Sequence, residues 1–326
     1  MTTALALGFS SIELQDAHLL SLYLMKADWK EALKKIFPQT RLDEPLARYT
    51  TFKIGGASEA YLEINNRLEL ETLMRFSRQM DIPVFFMGWG SNLLILDGGI
   101  PGVAAVLKGD FEKIDFLEKG LVRVGAGVRI PQFISVAANH GLGGAEPLIG
   151  IPGTLGGAVM MNAGTRDLEI GALIQDIEIF DPRSFKSEFV DSSRVNFSYR
   201  SSGLSGRVIL SALLRLREGD KVDIMKRVAV HQERRLKTQP VHTFNVGSIF
   251  KNPNGFFAAE LIEKAGLKGI SSGGARVSSL HANFIENFNN AKASDVLDLI
   301  EKIRRKIKED AGVDLELEIK VVGRSL

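Results

Sequence analysis

Cysteine is absent from the 326-residue chain. That removes disulfides, thiolate metal sites and cysteine nucleophiles together, and it fits a reducing, cytoplasmic setting. Charge of one sign is also lacking: 41 Lys and Arg face 39 Asp and Glu, a formal net charge of +2. No global field therefore draws the chain to nucleic acid or to a membrane surface. No apolar run reaches the roughly 18 residues of a membrane span. The five histidines, at 18, 140, 231, 242 and 281, never fall at a paired ligand spacing, so no metal site is expected. The opening MTTALALGFSSIELQDAHLL has no basic start and meets Glu13 and Asp16 early. It reads as a non-secretory extension rather than a signal peptide.

What is present is a mixture of short elements. Residues 18–37 repeat apolar positions at helical spacing and end at Pro38, which predicts a helix. Strand-like runs follow at 59–64, 84–86, 93–96, 103–107 and 121–124, with helical patterns over 68–80 and 131–140. From 174 to 216 the signals are strands again, VNFSYR (195–200) among them. Helices are predicted over 220–237, 258–265 and 294–310, and DLELEIKVV (314–322) reads as a closing strand. Strands and helices do not alternate regularly, so the class is α+β.

Two glycine-rich stretches resist both periods: GWGSNLL (88–94) and PLIGIPGTLGGA (147–158). Neither is a Rossmann fingerprint, because Leu93 stands where the third glycine belongs, and neither carries the Gly-Lys-Ser/Thr of a P-loop. Backbone amides in such turns form concave nests for anionic oxygens, and a missing Cβ allows close approach. With Ser91, Asn92 and Thr154 as small donors, the pair points to a bound diphosphate.

The runs YTTFKIGG (49–56), GWGSNLLI (88–95), GAGVRIP (125–131), GLGGAEPLIGIPGTLGGAVMMNAG (141–164), FSYR (197–200), GSIFKNP (247–253), AAELIEKAGLKG (258–269), HANFIEN (281–287) and LELEIKVVG (315–323) follow in order. Together they resemble the UDP-N-acetylenolpyruvoylglucosamine reductase family over about residues 40–323. The resemblance implies an α+β chain of three parts. An extension covers 1–40. An FAD-binding domain of the vanillyl-alcohol-oxidase (PCMH) type covers 41–216, in two subdomains with a break near 108, and an α+β substrate-binding domain covers 217–326. It implies FAD held without a covalent link, NADPH as co-substrate and UDP-N-acetylglucosamine enolpyruvate as substrate, with no obligate protein partner. A cysteinyl flavin link is impossible here in any case.

By the same resemblance, FAD is expected against Tyr49, Thr51, Lys53 and Gly55. The first glycine stretch adds Gly88, Gly90, Ser91, Asn92 and Leu93. The second adds Gly150, Ile151, Pro152, Gly153, Thr154, Gly157 and Ala158, and Gly164 approaches the ring. The family reaction adds hydride to C3 of the enolpyruvyl group and a proton to C2. The charge developing between these events calls for a cation, a hydrogen-bonding acid and a proton donor. The resemblance assigns these roles to Arg200, Glu318 and Ser248. Arg200 suits a carboxylate because a guanidinium is planar and always charged. Periodicity alone leaves Glu316 and Glu318 equivalent on one strand face; the family pattern selects Glu318 and implies that it holds its proton. Lys251 is the candidate to assist Ser248, and Val246 stands where the family usually has alanine. Sugar-nucleotide contacts are expected from Tyr199, Arg235, Lys237, Lys251, Asn252 and Asn283, with Arg234, Arg235 and Lys237 as a basic cluster. No room exists between Arg217 and Ser248 for the tyrosine-bearing loop of the family's longer form. Two other readings remain at this stage: another flavoprotein of the same fold, or a nucleotide-binding relative without catalysis.

Overall fold

The computed structural model describes residues 28–326. Part of the helix expected over 18–37, residues 18–27, lies outside the described residues. The remainder forms α1 (Trp29–Ile36), which ends before Pro38.

The first layer is built from β1 (Arg41–Pro45), β2 (Ala57–Ile64), α2 (Arg67–Met80), β3 (Val84–Phe86), β4 (Leu93–Ile95) and β5 (Ile100–Leu107). Four of its strands form a sheet in the order β1-β2-β5-β3, with β5 parallel to both β2 and β3. The apolar stripe of α2, Leu70, Leu73, Met74, Phe76 and Met80, is buried, and it packs with Leu62, Val103 and Ala105 of the sheet. The Asn66 side chain caps α2 by accepting from the Glu69 amide at 2.9 Å, and Glu69 returns the bond to the Asn65 amide.

The chain then crosses to a second sheet. Its elements are β6 (Ile114–Phe116), β7 (Leu121–Gly125), α3 (Ile130–Asn139), β8 (Leu142–Gly143), α4 (Leu155–Met160), β9 (Ile174–Asp181), β10 (Lys186–Asp191) and β11 (Val208–Arg215). Five strands run antiparallel in the order β10-β9-β11-β7-β6. The second glycine stretch departs from expectation, because its latter half winds into α4 instead of staying a loop. Small residues permit this: a Cβ on Gly156 would stand 3.0 Å from that of Ala126, so only glycine lets the helix lie this close to the sheet.

The last part holds β12 (Arg217–Glu218), α5 (Lys221–Thr238), α6 (Ala258–Lys264), β13 (Ser271–Ser272), β14 (Ala275–Val277), β15 (Ile285–Asn287), α7 (Ala293–Ala311) and β16 (Lys320–Val322). Val296, Leu299, Ile300, Ile303 and Ile307 of α7 are buried as their spacing predicts. They share a core with Phe52, Ile54 and Leu94 of the first layer. The carboxyl end also returns there: β16 pairs in parallel with β4, Lys320 opposite Leu93. This return places the closing segment beside the first glycine stretch. No described helix is long and apolar enough to cross a membrane. Among the described residues, no cluster of His, Asp and Glu could hold a metal ion.

Candidate active site

Three distant segments meet where the closing segment runs. Residues 315–322 are extended but change partners midway. Lys251 N donates to Glu316 O and Glu318 N donates to Ile249 O, both at 2.8 Å; then Lys320 N donates to Asn92 O at 2.9 Å. Only 320–322 forms a regular strand. Side-chain neighbours separate the two glutamates that periodicity left equivalent. Glu316 faces solvent, where an ion pair with Lys251 at 2.6 Å holds its carboxyl below the usual range. Glu318 turns inward, its side chain 14% exposed, and its Oε1 meets Arg200 Nε at 2.6 Å. Burial raises the Glu318 carboxyl above its ordinary value, and the Arg200 charge opposes that rise without cancelling it.

Arg200 reaches Glu318 from a turn. The strand expected over 195–200 does not form: Ser198 and Ser201 exchange backbone hydrogen bonds at 2.9 and 3.0 Å, and Arg200 has φ +59°. Val195 and Phe197 pack against the core of the second sheet, which gives the sequence its strand-like alternation, but the chain reverses directly afterwards. A left-handed arginine costs about 1–2 kcal/mol, and such strain collects at functional residues. The turn also brings Arg200 Nη2 to the Gly164 carbonyl at 3.4 Å.

Ser248 lies on the segment between Glu318 and Asn283. Ile249 N donates to Asn283 O at 2.9 Å, while Ile249 O accepts from Glu318 N. Gly247 turns at φ +79°, and Val246 is buried beside it without disturbing that conformation. The Ser248 hydroxyl is half-buried. Among the described residues no side-chain hydrogen bond engages it, so its proton is free to be directed at a ligand.

A cavity of about 370 Å³ opens between the two sheets, lined by Tyr49, Tyr61, Gly88, Trp89, Arg129, Thr154 and Gly157, among others. The glycine stretches close on each other at its wall. A Cβ on Gly88 would stand 2.4 Å from Thr154 Oγ1, and Ser91 Oγ donates to Pro152 O at 2.7 Å. At Gly157 no protein atom lies nearer than 3.6 Å to the position of a Cβ. A side chain there would occupy space the cavity leaves to a ligand, so the residues present fit an elongated dinucleotide held by backbone. A second cavity, of about 460 Å³, lies at the start of α5 between Glu146, Asp220 and Arg227, and none of the three catalytic candidates lines either cavity.

Several side chains expected to touch a ligand are engaged inside the protein instead. Ser91 and Asn92 were read as donors to a diphosphate, but Ser91 joins the glycine stretches and Asn92 Nδ2 donates to Glu318 O at 3.3 Å. Thr51 Oγ1 donates to Asn245 O at 2.7 Å, and Lys53 Nζ donates to Arg48 O at 2.9 Å. Tyr49 donates to Glu44, accepts from Arg41 and stacks on Tyr61 at 4.3 Å. Ser91, Asn92, Thr51 and Lys53 tie neighbouring loops together, and of these residues Tyr49 lines the cavity. Trp89 and Arg129 line it as a stacked pair, 4.2 Å from guanidinium carbon to ring centre. Both stood in motif runs and were not singled out. Tyr61 was missed because it reads as an ordinary strand residue.

The sugar-nucleotide candidates divide in the same way. Asn283 is buried, and both ends of its amide bind the Phe250 backbone. Asn252 Oδ1 accepts from Ala258 N at 3.0 Å, which satisfies the start of α6. The Tyr199 hydroxyl accepts from Asn252 N at 3.5 Å, and the ring is 45% exposed beside Arg200. Lys251 is paired with Glu316, not with Ser248, although its charge reaches Glu318. The basic cluster does not act as one. Arg234 pairs with Asp167 and Lys237 with Glu233, both in solvent, whereas Arg235 turns onto Gly150.

Arg235 is the unusual member. Its Nε is shut off from solvent and, among the described residues, has no partner. Burial lowers its pKa to about 10. It still carries its charge near neutrality, at a desolvation cost of about 3 kcal/mol. A largely desolvated cation with no counter-charge among the described residues makes Arg235 a candidate contact for an anionic ligand. Arg235→Met is therefore expected to match or exceed the parent in thermal stability without ligand, and to lose about tenfold or more in affinity for the anionic ligand. Thermal melts and ligand titration check both halves.

Residues 239–322 match the family model described as UDP-N-acetylenolpyruvoylglucosamine reductase, C-terminal domain, and residues 58–183 match that of the FAD binding domain. The chain is 38% identical over 289 residues to the UDP-N-acetylenolpyruvoylglucosamine reductase of Moorella thermoacetica, covering 88% of this chain and 95% of that relative. The chain belongs to the UDP-N-acetylenolpyruvoylglucosamine reductase family. The reductase of Myxococcus xanthus is similarly related, 40% identical over 289 residues that make up 87% of this chain and 93% of its own. The crystal structure of the UDP-N-acetylenolpyruvylglucosamine reductase from Thermus caldophilus matches with a TM-score of 0.74 at 38% identity, over 87% of this chain and 98% of that one. As a member of this reductase family with an FAD-binding domain, the chain is a flavin-dependent oxidoreductase. Its PCMH-type domain comes first and the family's C-terminal domain follows.

Proposed function

We propose that the chain reduces the enolpyruvyl group of UDP-N-acetylglucosamine enolpyruvate to give UDP-N-acetylmuramate for peptidoglycan, with NADPH as reductant, in the cytoplasm. The observation that carries this reading is the contact of Glu318 with Arg200, on a segment whose backbone is hydrogen-bonded to Ile249, the neighbour of Ser248. Absence of cysteine supports FAD held without a covalent link. FAD, when bound, relays hydride from NADPH to C3 of the substrate.

The protein's part is to manage the charge that follows. In the ligand-free molecule Arg200 and Glu318 neutralise each other. A substrate carboxylate arriving at Arg200 competes for the guanidinium and leaves Glu318 beside a second negative group. Both effects push an already raised carboxyl further up, so Glu318 takes a proton. It then donates a hydrogen bond to the enolate oxygen while Arg200 balances the charge. The Ser248 hydroxyl gives its proton to C2 and regains one from solvent. The sum is one hydride and one proton added across the double bond, with NADPH converted to NADP⁺. Tyr199 and Arg235 remain the best-placed side chains for the sugar nucleotide, the first by its exposed ring and the second by its unmatched charge.

Anaerobic addition of NADPH is expected to bleach the yellow protein. The enolpyruvyl sugar nucleotide is then expected to restore the colour and yield UDP-N-acetylmuramate. Bleaching without restoration points instead to another flavoprotein of this fold, and a colourless protein that takes up no FAD rejects the reading.

A further inference from the structure

The turn that presents Ser248 is held by a side chain outside the catalytic trio. Asn245 folds residues 240–247 onto themselves. Its Nδ2 donates to Pro240 O at 2.8 Å and to Thr243 O at 3.1 Å, and its Oδ1 accepts from Gly247 N at 3.0 Å. Gly247, at φ +79°, has nothing within 4 Å of where a Cβ would stand. Packing therefore does not fix its conformation, and the hydrogen bond from its amide to Asn245 does. The Asn245 carbonyl also accepts from Thr51 Oγ1 at 2.7 Å, which joins this turn to the segment at the cavity wall. A second tie runs in parallel: Asn287 N donates to Phe244 O, and Asn287 Nδ2 donates to Phe52 O at 3.0 Å. The Ser248 turn is thus braced against residues 51–52 through two adjacent residues, Phe244 and Asn245.

We propose that Asn245 is a positioning residue for the proton donor: through Gly247 it aims the Ser248 hydroxyl at the substrate. The inference rests on the reading of Ser248 given above. It follows from placement, because the hydroxyl lacks a partner of its own and takes its direction from the backbone that carries it. Misplacing a reacting group by about 1 Å can cost on the order of a hundredfold in rate.

The test is single-turnover kinetics on the FAD-loaded protein, with Ser248→Ala as reference. Asn245→Ala is expected to leave flavin reduction by NADPH within about twofold and to slow reoxidation by the enolpyruvyl sugar nucleotide by about ten- to a hundredfold. The solvent deuterium isotope effect on reoxidation should grow, the loss should fall on kcat rather than KM, and FAD affinity should stay unchanged. Asn245→Asp keeps the acceptor for Gly247 N but loses the donors to Pro240 O and Thr243 O, so it should recover part of the loss and fall between Asn245→Ala and the parent. If Asn245→Ala does not fold, Asn245→Gln replaces it, since it keeps the amide but shifts it by one carbon, and the same slowing is expected. Unchanged reoxidation, equal slowing of both half-reactions, or an Asp variant as slow as the Ala variant overturns the inference. If Ser248→Ala itself leaves reoxidation intact, the catalytic reading fails and this one with it. If only the Asn245 variants are neutral, the catalytic reading stands alone.

Discussion

Ser248→Ala is expected to bleach with NADPH at a rate within about twofold of the parent and to recover its colour about 10²- to 10⁴-fold more slowly with the enolpyruvyl sugar nucleotide. The asymmetry follows from the position of the hydroxyl. It lies on the segment that Glu318 pairs with, and no part of reduction by NADPH requires a proton at that place. Without it, water must protonate C2, and a half-buried site admits water slowly and without orientation. A serine is a weak acid, so the residue acts only if the charge it relieves is adjacent and already formed. Stopped-flow absorbance separates the two half-reactions. Equal slowing of both would show that Ser248 merely supports the fold, and no slowing would remove it from the chemistry.

The second large effect is at Glu318. Glu318→Ala removes the hydrogen-bond donor to the enolate and is expected to slow reoxidation by about 10²- to 10³-fold. Glu318→Gln keeps a neutral N–H donor and is expected to recover much of that loss. The pH dependence distinguishes the two roles a glutamate could play. Its carboxyl is raised by burial, and the form that donates is the protonated one. The parent's reoxidation rate is therefore full at low pH and falls as pH rises through the Glu318 pKa of the complex. The Gln variant has no proton to lose and should be flat over the same range. A parent rate that instead climbs with pH would mean that the carboxylate, not the acid, is active.

The periodic parts of this fold were legible. The stripes of α2 and α7 read correctly because each helix buries one face against one core, and apolar spacing records that directly. The Arg200 turn was not legible. Val195 and Phe197 alternate like a strand because both meet the core of the second sheet, and nothing local announces the reversal at Ser198–Ser201. Glu316 and Glu318 share a period, and what separates them is their side-chain neighbours: Lys251 in solvent for the first, Arg200 in the interior for the second.

The polar residues of the glycine stretches have partners that the sequence does not announce, for a related reason. Ser91 and Asn92 are suited to bind a ligand, but their partners, Pro152 and Glu318, lie far off in sequence. The basic run carries a readable signal. Successive helical residues are rotated by about 100°, so Arg235 could not share a face with both Arg234 and Lys237, and only Arg235 turned inward. The proposed catalytic trio is legible from ordered motifs, not from any local signal. Each member taken alone looks like a turn serine, a surface arginine or a solvated strand glutamate.

The protonation state of Glu318 in the substrate complex is the most direct test. Infrared difference spectroscopy at neutral pH, with Glu318→Gln to assign the band, should show a protonated carboxyl appear when the enolpyruvyl sugar nucleotide binds the oxidised enzyme. A Glu318 that stays ionised in that complex would contradict the account.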